Sequence, residues 1–110
     1  MNLLLLSNST NPGESYLSYP QAEIASFLKG AESEIIFIPY AAVTFSYDEY
    51  EQKVNESLNQ IGLKVRSIHH YESCIDAVEN ASAVMIGGGN TWKLVRMLHE
   101  NNLMNAIRSK

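Results

Sequence analysis

A glycine-rich run, 87-GGGNT-91, stands between a short apolar segment and a segment with helical spacing. A glycine loop that leads into a helix presents unpaired backbone N–H groups and the positive end of the helix dipole. Such a loop can receive a phosphate, a carboxylate or an oxyanion that develops during a reaction. The competing interpretation is a tight turn between strand and helix with no ligand. Three consecutive glycines exceed what that turn needs, so we favour a functional loop.

Two phosphate-binding motifs can be tested against this run. The dinucleotide fingerprint and a P-loop starting at Gly87 both require glycine at the position of Trp92. The P-loop also needs serine or threonine where Leu94 stands, and only Lys93 fits it. The sequence therefore supports neither a Rossmann cofactor nor an ATP site, and we predict no cofactor.

Candidate nucleophiles are few, because no serine lies in a G-x-S-x-G elbow. Cys74 with His69 or His70 is the combination a thiol protease would use, but Cys74 should begin a helix on its buried side, where it packs as a small apolar residue. The histidine pair has no cysteine or carboxylate at ligand spacing, so we predict no metal site. His99 reads as an exposed residue of a helix.

Short apolar runs alternate with amphipathic ones along the chain. The apolar runs are 3-LLLL-6, 35-IIFI-38, 63-LKVRSI-68 and 83-AVMI-86. The amphipathic runs lie around 17–29, 47–60 and 73–80 and from 91 onward. This order predicts one α/β domain over residues 1–110, a three-layer, doubly wound parallel sheet of the flavodoxin-like type. We expect strand order 2-1-3-4, with the alternating run at 63–68 at an edge.

Several local signals accompany these elements. Gly30 and Gly62 are predicted helix stops, and Ser73 is a predicted N-cap. The segment 45-FSYDEY-50 reads either as a loop over a pocket or, as we favour, as a capped helix start. The loop 7-SNSTNPG-13 either lines a site or is an ordinary strand-to-helix turn. Trp92 is expected to pack against the sheet or a neighbouring chain.

Composition narrows the class of protein. The chain has 110 residues, a net charge of −4 and a pI of about 5.3. It has no Lys/Arg cluster, which argues against nucleic acid or an anionic membrane as a partner. The single cysteine fits a reducing compartment, and 3-LLLL-6 is too short to span a bilayer and lacks a signal-peptide pattern. We predict a cytoplasmic protein.

Three segments in order, 1-MNLLLLSNST-10, 37-FIPYAAVTFSYDEY-50 and 84-VMIGGGNTWKL-94, resemble the peptidase E family of serine-type aspartyl dipeptidases. The resemblance runs from Met1 to Lys110. It implies the flavodoxin-like sheet of class I glutamine amidotransferases. It also implies hydrolysis of small peptides with aspartate at the N-terminal position.

The resemblance assigns roles to residues of the glycine loop. It implies that backbone N–H groups of Gly88 and Gly89 form the oxyanion hole. Asn90 and Thr91 would bind substrate, as would Asn8 in the first loop, and Asn90 could also cap the following helix.

The family's serine lies in a G-W-S-A-G elbow that would begin beyond Lys110, as would its histidine, its acidic partner and the basic residue for the substrate's aspartate. We therefore expect no catalytic triad residue in this chain, a chain truncated after the fourth strand–helix unit, and no activity from it alone. The outer edge of 83–86 should then be exposed, which predicts a homodimer or a complementing C-terminal segment. Two alternatives stay open: a non-catalytic flavodoxin-like module that binds a small anion, and a fragment of a cyanophycinase-like hydrolase.

Overall fold

A computed structural model describes residues 21–28 and 35–109. The strands in this part are β1 (Ile35–Ile38), β2 (Arg66–Ser67) and β3 (Ala83–Ile86). The α-helices are α1 (Gln21–Phe27), α2 (Tyr47–Leu58), α3 (Cys74–Asn80), α4 (Thr91–Glu100) and α5 (Met104–Arg108), with 3-10 turns at Asn59–Ile61 and Ile68–His70. The predicted strand at 3–6, the loop 7–13 with Asn8, residues 17–20 and 29 of the first predicted helix, and Gly30 lie outside the described residues.

The three described strands form a parallel sheet in the order β2-β1-β3. Ile36 of β1 lies opposite Arg66 on one side and Val84 on the other. The parallel sheet was predicted correctly, but the order was wrong, because 35–38 separates the two strands expected to be neighbours. Apolar residues at every position of β1 indicate burial on both faces. That pattern says nothing about which strands lie on either side.

Helices cover both faces of β1, whose four residues are at most 4% exposed. Ile35 and Phe37 pack in a cluster with residues of α1 and α2. Ile36 and Ile38 pack in a second cluster with residues of α3, α4 and α5. Successive strand side chains point to opposite faces, so one short strand supplies the centre of both cores. The predicted three-layer α/β arrangement is confirmed for this part of the chain.

Of the strand predicted over 63–68, only the two residues of β2 form one. A side chain takes backbone hydrogen bonds that a neighbouring strand would otherwise make. The amide nitrogen of Asn55 donates to the Val65 carbonyl at 3.0 Å, and the Asn55 side-chain oxygen accepts from the Val65 N–H at 2.8 Å. Both backbone groups of Val65 are thus paired with helix α2 instead of with a strand. Within the described sheet β2 lies at an edge, as the alternating pattern predicted.

Local capping fixes the helix ends. The Ser46 side chain accepts from the Glu49 N–H while the Glu49 carboxylate accepts from the Ser46 N–H, which is a capping box that begins α2. Gly62, with φ of 76°, follows the turn after α2 in the left-handed conformation. Ser73 caps α3, and Asn102 with φ of 57° follows α4. The predicted stop at Gly62, the predicted cap at Ser73 and the favoured reading of 45–50 as a capped helix start are confirmed.

Strand β3 forms the other edge of the described sheet and is more exposed than β1. Its first three residues are half-buried, and Ile86 is 43% exposed. The dimer or complementing segment predicted for this edge stays a prediction.

Trp92 and His99 lie on the outer side of α4. Trp92 is 71% exposed, and the Arg96 guanidinium lies 4.9 Å from the centre of its ring. Trp92 therefore does not pack against the sheet, because the apolar side of α4 is formed by residues such as Leu98, which is buried. The alternative that it packs against a neighbouring chain stays a prediction. His99 is exposed, as predicted. No helix in the described ranges is long and apolar enough to cross a bilayer.

Candidate active site

The glycine loop lies at the carboxyl ends of the strands, the edge where parallel α/β sheets bind ligands. Its two ends are tied to the chain that leaves β1. The Gly87 N–H donates to the Ile38 carbonyl at 3.1 Å, and the Asn90 N–H donates to the Ala41 carbonyl at 2.9 Å. Between these ties, the N–H groups of Gly88 and Gly89 have no hydrogen-bond partner among residues 21–28 and 35–109. The loop therefore holds two adjacent backbone donors without an acceptor in the part of the chain that the structure describes.

The space available for a side chain differs among the three glycines of the loop. A Cβ on Gly87 would lie 2.5 Å from the hydroxyl oxygen of Tyr50. Gly89 has a φ of 144°, and a Cβ there would collide with the Ala41 carbonyl. A Cβ on Gly88 would meet no atom of residues 21–28 and 35–109 within 4 Å. Packing thus requires glycine at 87 and 89, whereas no contact within this structure requires it at 88.

Tyr50 holds the loop in place, a role that the sequence pattern did not reveal. Its hydroxyl donates to the Gly88 carbonyl at 3.1 Å. In a trans peptide the C=O and the next N–H point in opposite directions, so this bond turns the Gly89 N–H away from Tyr50. The Tyr50 ring is itself fixed edge-on against Phe37 and Phe45, with ring centres 4.9 Å and 5.0 Å away. The helical spacing marked Tyr50 only as a residue of the apolar face of α2.

Asn90 begins helix α4. Its side-chain oxygen accepts from the Lys93 N–H at 2.9 Å, which confirms the predicted capping. Thr91 is the first residue of the helix and is exposed. Lys93 donates from Nζ to the Ala42 carbonyl at 2.6 Å, so its ammonium group ties α4 to the segment after β1. The predicted substrate-binding roles of Asn90 and Thr91 stay predictions.

Cys74 packs at the start of α3 and is half-buried, as predicted. Its sulfur lies 4.0 Å from the Tyr40 hydroxyl and 4.0 Å from the Ile68 carbonyl oxygen. Burial raises the pKa of the Tyr40 hydroxyl well above its usual range, and the neighbouring Cys74 thiol raises it further. Neither His69 nor His70 contacts the thiol among the described interactions, which agrees with a packing role for Cys74 rather than a catalytic one.

The histidine pair instead faces carboxylates from α2. His69 Nε2 lies 2.7 Å from Asp48 Oδ1, and His70 Nε2 lies 3.0 Å from Glu51 Oε1. The statement that the pair has no carboxylate partner is therefore wrong. The partners are supplied from about 20 residues earlier in the chain, so spacing within the sequence could not reveal them.

A serine completes a chain of contacts that superficially looks like a catalytic triad. Ser67 Oγ contacts His69 Nδ1, and His69 Nε2 contacts Asp48. Ser67 is 0% exposed within β2, however, so no peptide carbonyl can reach its hydroxyl. The contact supports the histidine ring and does not create a nucleophile.

Comparison with known proteins agrees with the resemblance seen in the sequence. The profile of Peptidase family S51 matches residues 3–110. Peptidase E of Nostoc sp. is 49% identical over 108 residues, which cover 98% of this chain and 45% of that protein.

Two further curated relatives match along the same length. Peptidase E of Salmonella arizonae is 39% identical over 110 residues, which cover 100% of this chain and 48% of that protein. Peptidase E of Haemophilus influenzae is 38% identical over 110 residues, which cover 99% and 50%. The chain thus spans about half the length of the curated relatives it matches. Because the family profile matches almost every residue, the chain belongs to peptidase family S51.

Proposed function

We propose that this chain forms the oxyanion-hole half of a serine-type peptidase that removes aspartate from the N-terminus of small peptides. The observation that carries the proposal is the pair of N–H groups at Gly88 and Gly89, which have no acceptor among the described residues. Membership of family S51, and relatives named Peptidase E, support the reaction class. The finer fold assignment is part of the same proposal: a flavodoxin-like sheet of the class I glutamine amidotransferase type, of which this chain is the N-terminal portion.

The proposed chemistry is acyl transfer to a serine outside residues 1–110. The serine oxygen attacks the peptide carbonyl carbon, and a histidine takes the serine proton and later gives it to the leaving amine. The carbonyl oxygen becomes an oxyanion, which accepts hydrogen bonds from Gly88 and Gly89. Donors fixed in place beforehand favour the tetrahedral state over the planar substrate.

The structure suggests how the donors stay aimed during this step. The carbonyls of Ile38 and Ala41 accept hydrogen bonds from the two ends of the loop. The Tyr50 hydroxyl fixes the peptide group between residues 88 and 89. The space beside Gly88 leaves room for the substrate carbonyl, since a Cβ there would meet no atom of the described chain. Asn90 and Thr91, together with Asn8, are the proposed contacts to the rest of the substrate.

The test measures hydrolysis of Asp-Leu by the intact protein that contains this chain. Gly88→Pro removes one N–H, and Gly88→Ala keeps the N–H but places a methyl group in the open space. Loss of one such donor typically lowers kcat by roughly 100-fold to 1,000-fold. We expect Gly88→Pro to show a loss of this order with a much smaller change in KM, because the donor acts mainly on the transition state.

Thermal unfolding of each variant separates a folding defect from a chemical one. Unchanged kcat in a folded Gly88→Pro variant would refute the oxyanion-hole assignment. Tight binding of free aspartate without turnover by the intact protein would favour the non-catalytic anion-binding module instead. Preferential release of dipeptides from an aspartyl polymer would favour the cyanophycinase-like alternative.

A further inference from the structure

A second cluster of polar side chains lies on the far side of β1 from the glycine loop. Donor atoms of Asp48, His69 and His70 lie within 4.8 Å of one another. Beside this cluster, Glu51 Oε1 lies 3.0 Å from His70 Nε2. We propose that Asp48, His69 and His70, with the Glu51 carboxylate beside them, bind a divalent transition-metal ion of the zinc type. The site goes beyond the proposed peptidase function and does not depend on it.

The donor set has the chemistry that zinc prefers. Two imidazole nitrogens and carboxylate oxygens are common zinc ligands, whereas magnesium and calcium prefer oxygen alone. Both histidines present the same atom, Nε2, towards Asp48 Oδ1, at 2.7 Å and 3.4 Å. Tetrahedral ligands about 2.1 Å from zinc are about 3.4 Å apart. The observed separations therefore need only small side-chain shifts to admit an ion.

A buried residue behind the cluster contacts both His69 and the neighbouring Glu51. Ser67 Oγ contacts His69 Nδ1, and the Ser67 N–H donates to Glu51 Oε2. These contacts leave His69 Nε2 and Glu51 Oε1 facing the cluster. A partner on the second ring nitrogen is what metal-binding histidines almost always have, because it fixes the ring and its tautomer. Ser67 is 0% exposed, so this support is rigid.

The two histidine rings lie close enough together for one ion to reach both. The centres of the His69 and His70 rings are 4.0 Å apart, with 36° between their planes. Tyr47 packs on the other side of His69, with ring centres 5.5 Å apart, and holds that ring in place.

The test titrates Zn²⁺ and Co²⁺ into the intact protein after removal of any affinity tag. Equilibrium dialysis gives the stoichiometry, and the visible absorption of Co²⁺ reports a low-symmetry site with nitrogen and oxygen ligands. We expect one ion per chain that depends on the cluster. His70→Asn and Asp48→Asn should each weaken binding at least about tenfold. The matched control is His99→Asn, which removes an exposed histidine elsewhere and should leave the affinity unchanged.

Two further variants make the assignment specific. Cys74→Ser should leave the Co²⁺ spectrum unchanged, since a nitrogen and oxygen site has no thiolate-to-metal absorption. Ser67→Ala should weaken binding about 10-fold to 100-fold, the usual effect of losing a partner behind a ligand. Equal affinities in His70→Asn, His99→Asn and the parent protein would overturn the proposal, as would the absence of any bound ion at micromolar Zn²⁺.

Discussion

The contact between Gly87 and Tyr50 makes a sharp prediction about stability. In Gly87→Ala, the new Cβ would lie 2.5 Å from the Tyr50 hydroxyl oxygen, 2.7 Å from Cζ and 2.8 Å from Cε2. The ring has little freedom to retreat, because Tyr50 is 5% exposed and is wedged edge-on against Phe37 and Phe45. The added methyl group must therefore push apart part of the core.

The expected cost combines two effects. Overpacking of a dense core typically destabilises by about 1–3 kcal/mol. Displacing Tyr50 also breaks its hydrogen bond to the Gly88 carbonyl, which contributes about 0.5–1.5 kcal/mol. We expect Gly87→Ala to lower the free energy of unfolding by about 2–4 kcal/mol, measured by urea denaturation.

A neighbouring residue supplies the matched control. Gly88→Ala adds the same methyl group one position later, where nothing lies within 4 Å, and should change stability by less than about 0.5 kcal/mol. Tyr50→Phe isolates the hydrogen bond and should cost about 1 kcal/mol. If Gly87→Ala proves as stable as Gly88→Ala, the reasoning that ties the first glycine to close packing is refuted.

Two further predictions concern the loop ends and the buried hydroxyl. Asn90→Ala removes the N-cap of α4 and should destabilise by about 0.5–2 kcal/mol, whereas Asn90→Asp, which keeps the acceptor, should retain most of that stability in urea unfolding. Burial raises the pKa of Tyr40 in the folded state, so folded Tyr40 keeps its proton when unfolded Tyr40 loses it. The contribution of Tyr40 to the free energy of unfolding is therefore fully present below a pH of about 10, and it is lost as the pH rises beyond that value. Urea midpoints should fall less between pH 8 and pH 10.5 in Tyr40→Phe than in the parent protein, and an equal fall would contradict the shift.

Local features of the fold were readable from the sequence because their causes are local. The bounds of 35-IIFI-38 and 83-AVMI-86 match β1 and β3, since short uninterrupted apolar runs that end at Pro39 and Gly87 favour strands. Gly62 and Ser73 mark helix ends for equally local reasons, namely a left-handed φ and a side-chain acceptor.

Strand order and long-range contacts were not readable in the same way. Apolarity shows that 35–38 is buried but does not choose its neighbours, so the expected order failed. The Val65 backbone looked available for a strand, but Asn55 takes both of its hydrogen bonds. That competition arises only once α2 packs beside β2.

In the candidate sites, too, local features could be predicted from the sequence and long-range contacts could not. The glycine run predicted a loop that exposes backbone amides, and the N–H groups of Gly88 and Gly89 have no acceptor among the described residues. Tyr50 could not be recognised as its support, since 38 residues separate the hydroxyl from the Gly88 carbonyl. His69 and His70 lacked visible partners for the same reason. Asp48 and Glu51 approach them only through the docking of α2.

Helix α2 contributes side chains to both candidate sites. Asp48 and Glu51 face the histidines, whereas Tyr50, between them in sequence, reaches the peptide group of the glycine loop. An ion bound at His69 and a ligand bound at the glycine loop would both act on α2. If the two sites are coupled, each ligand changes the equilibrium affinity of the other by the same factor.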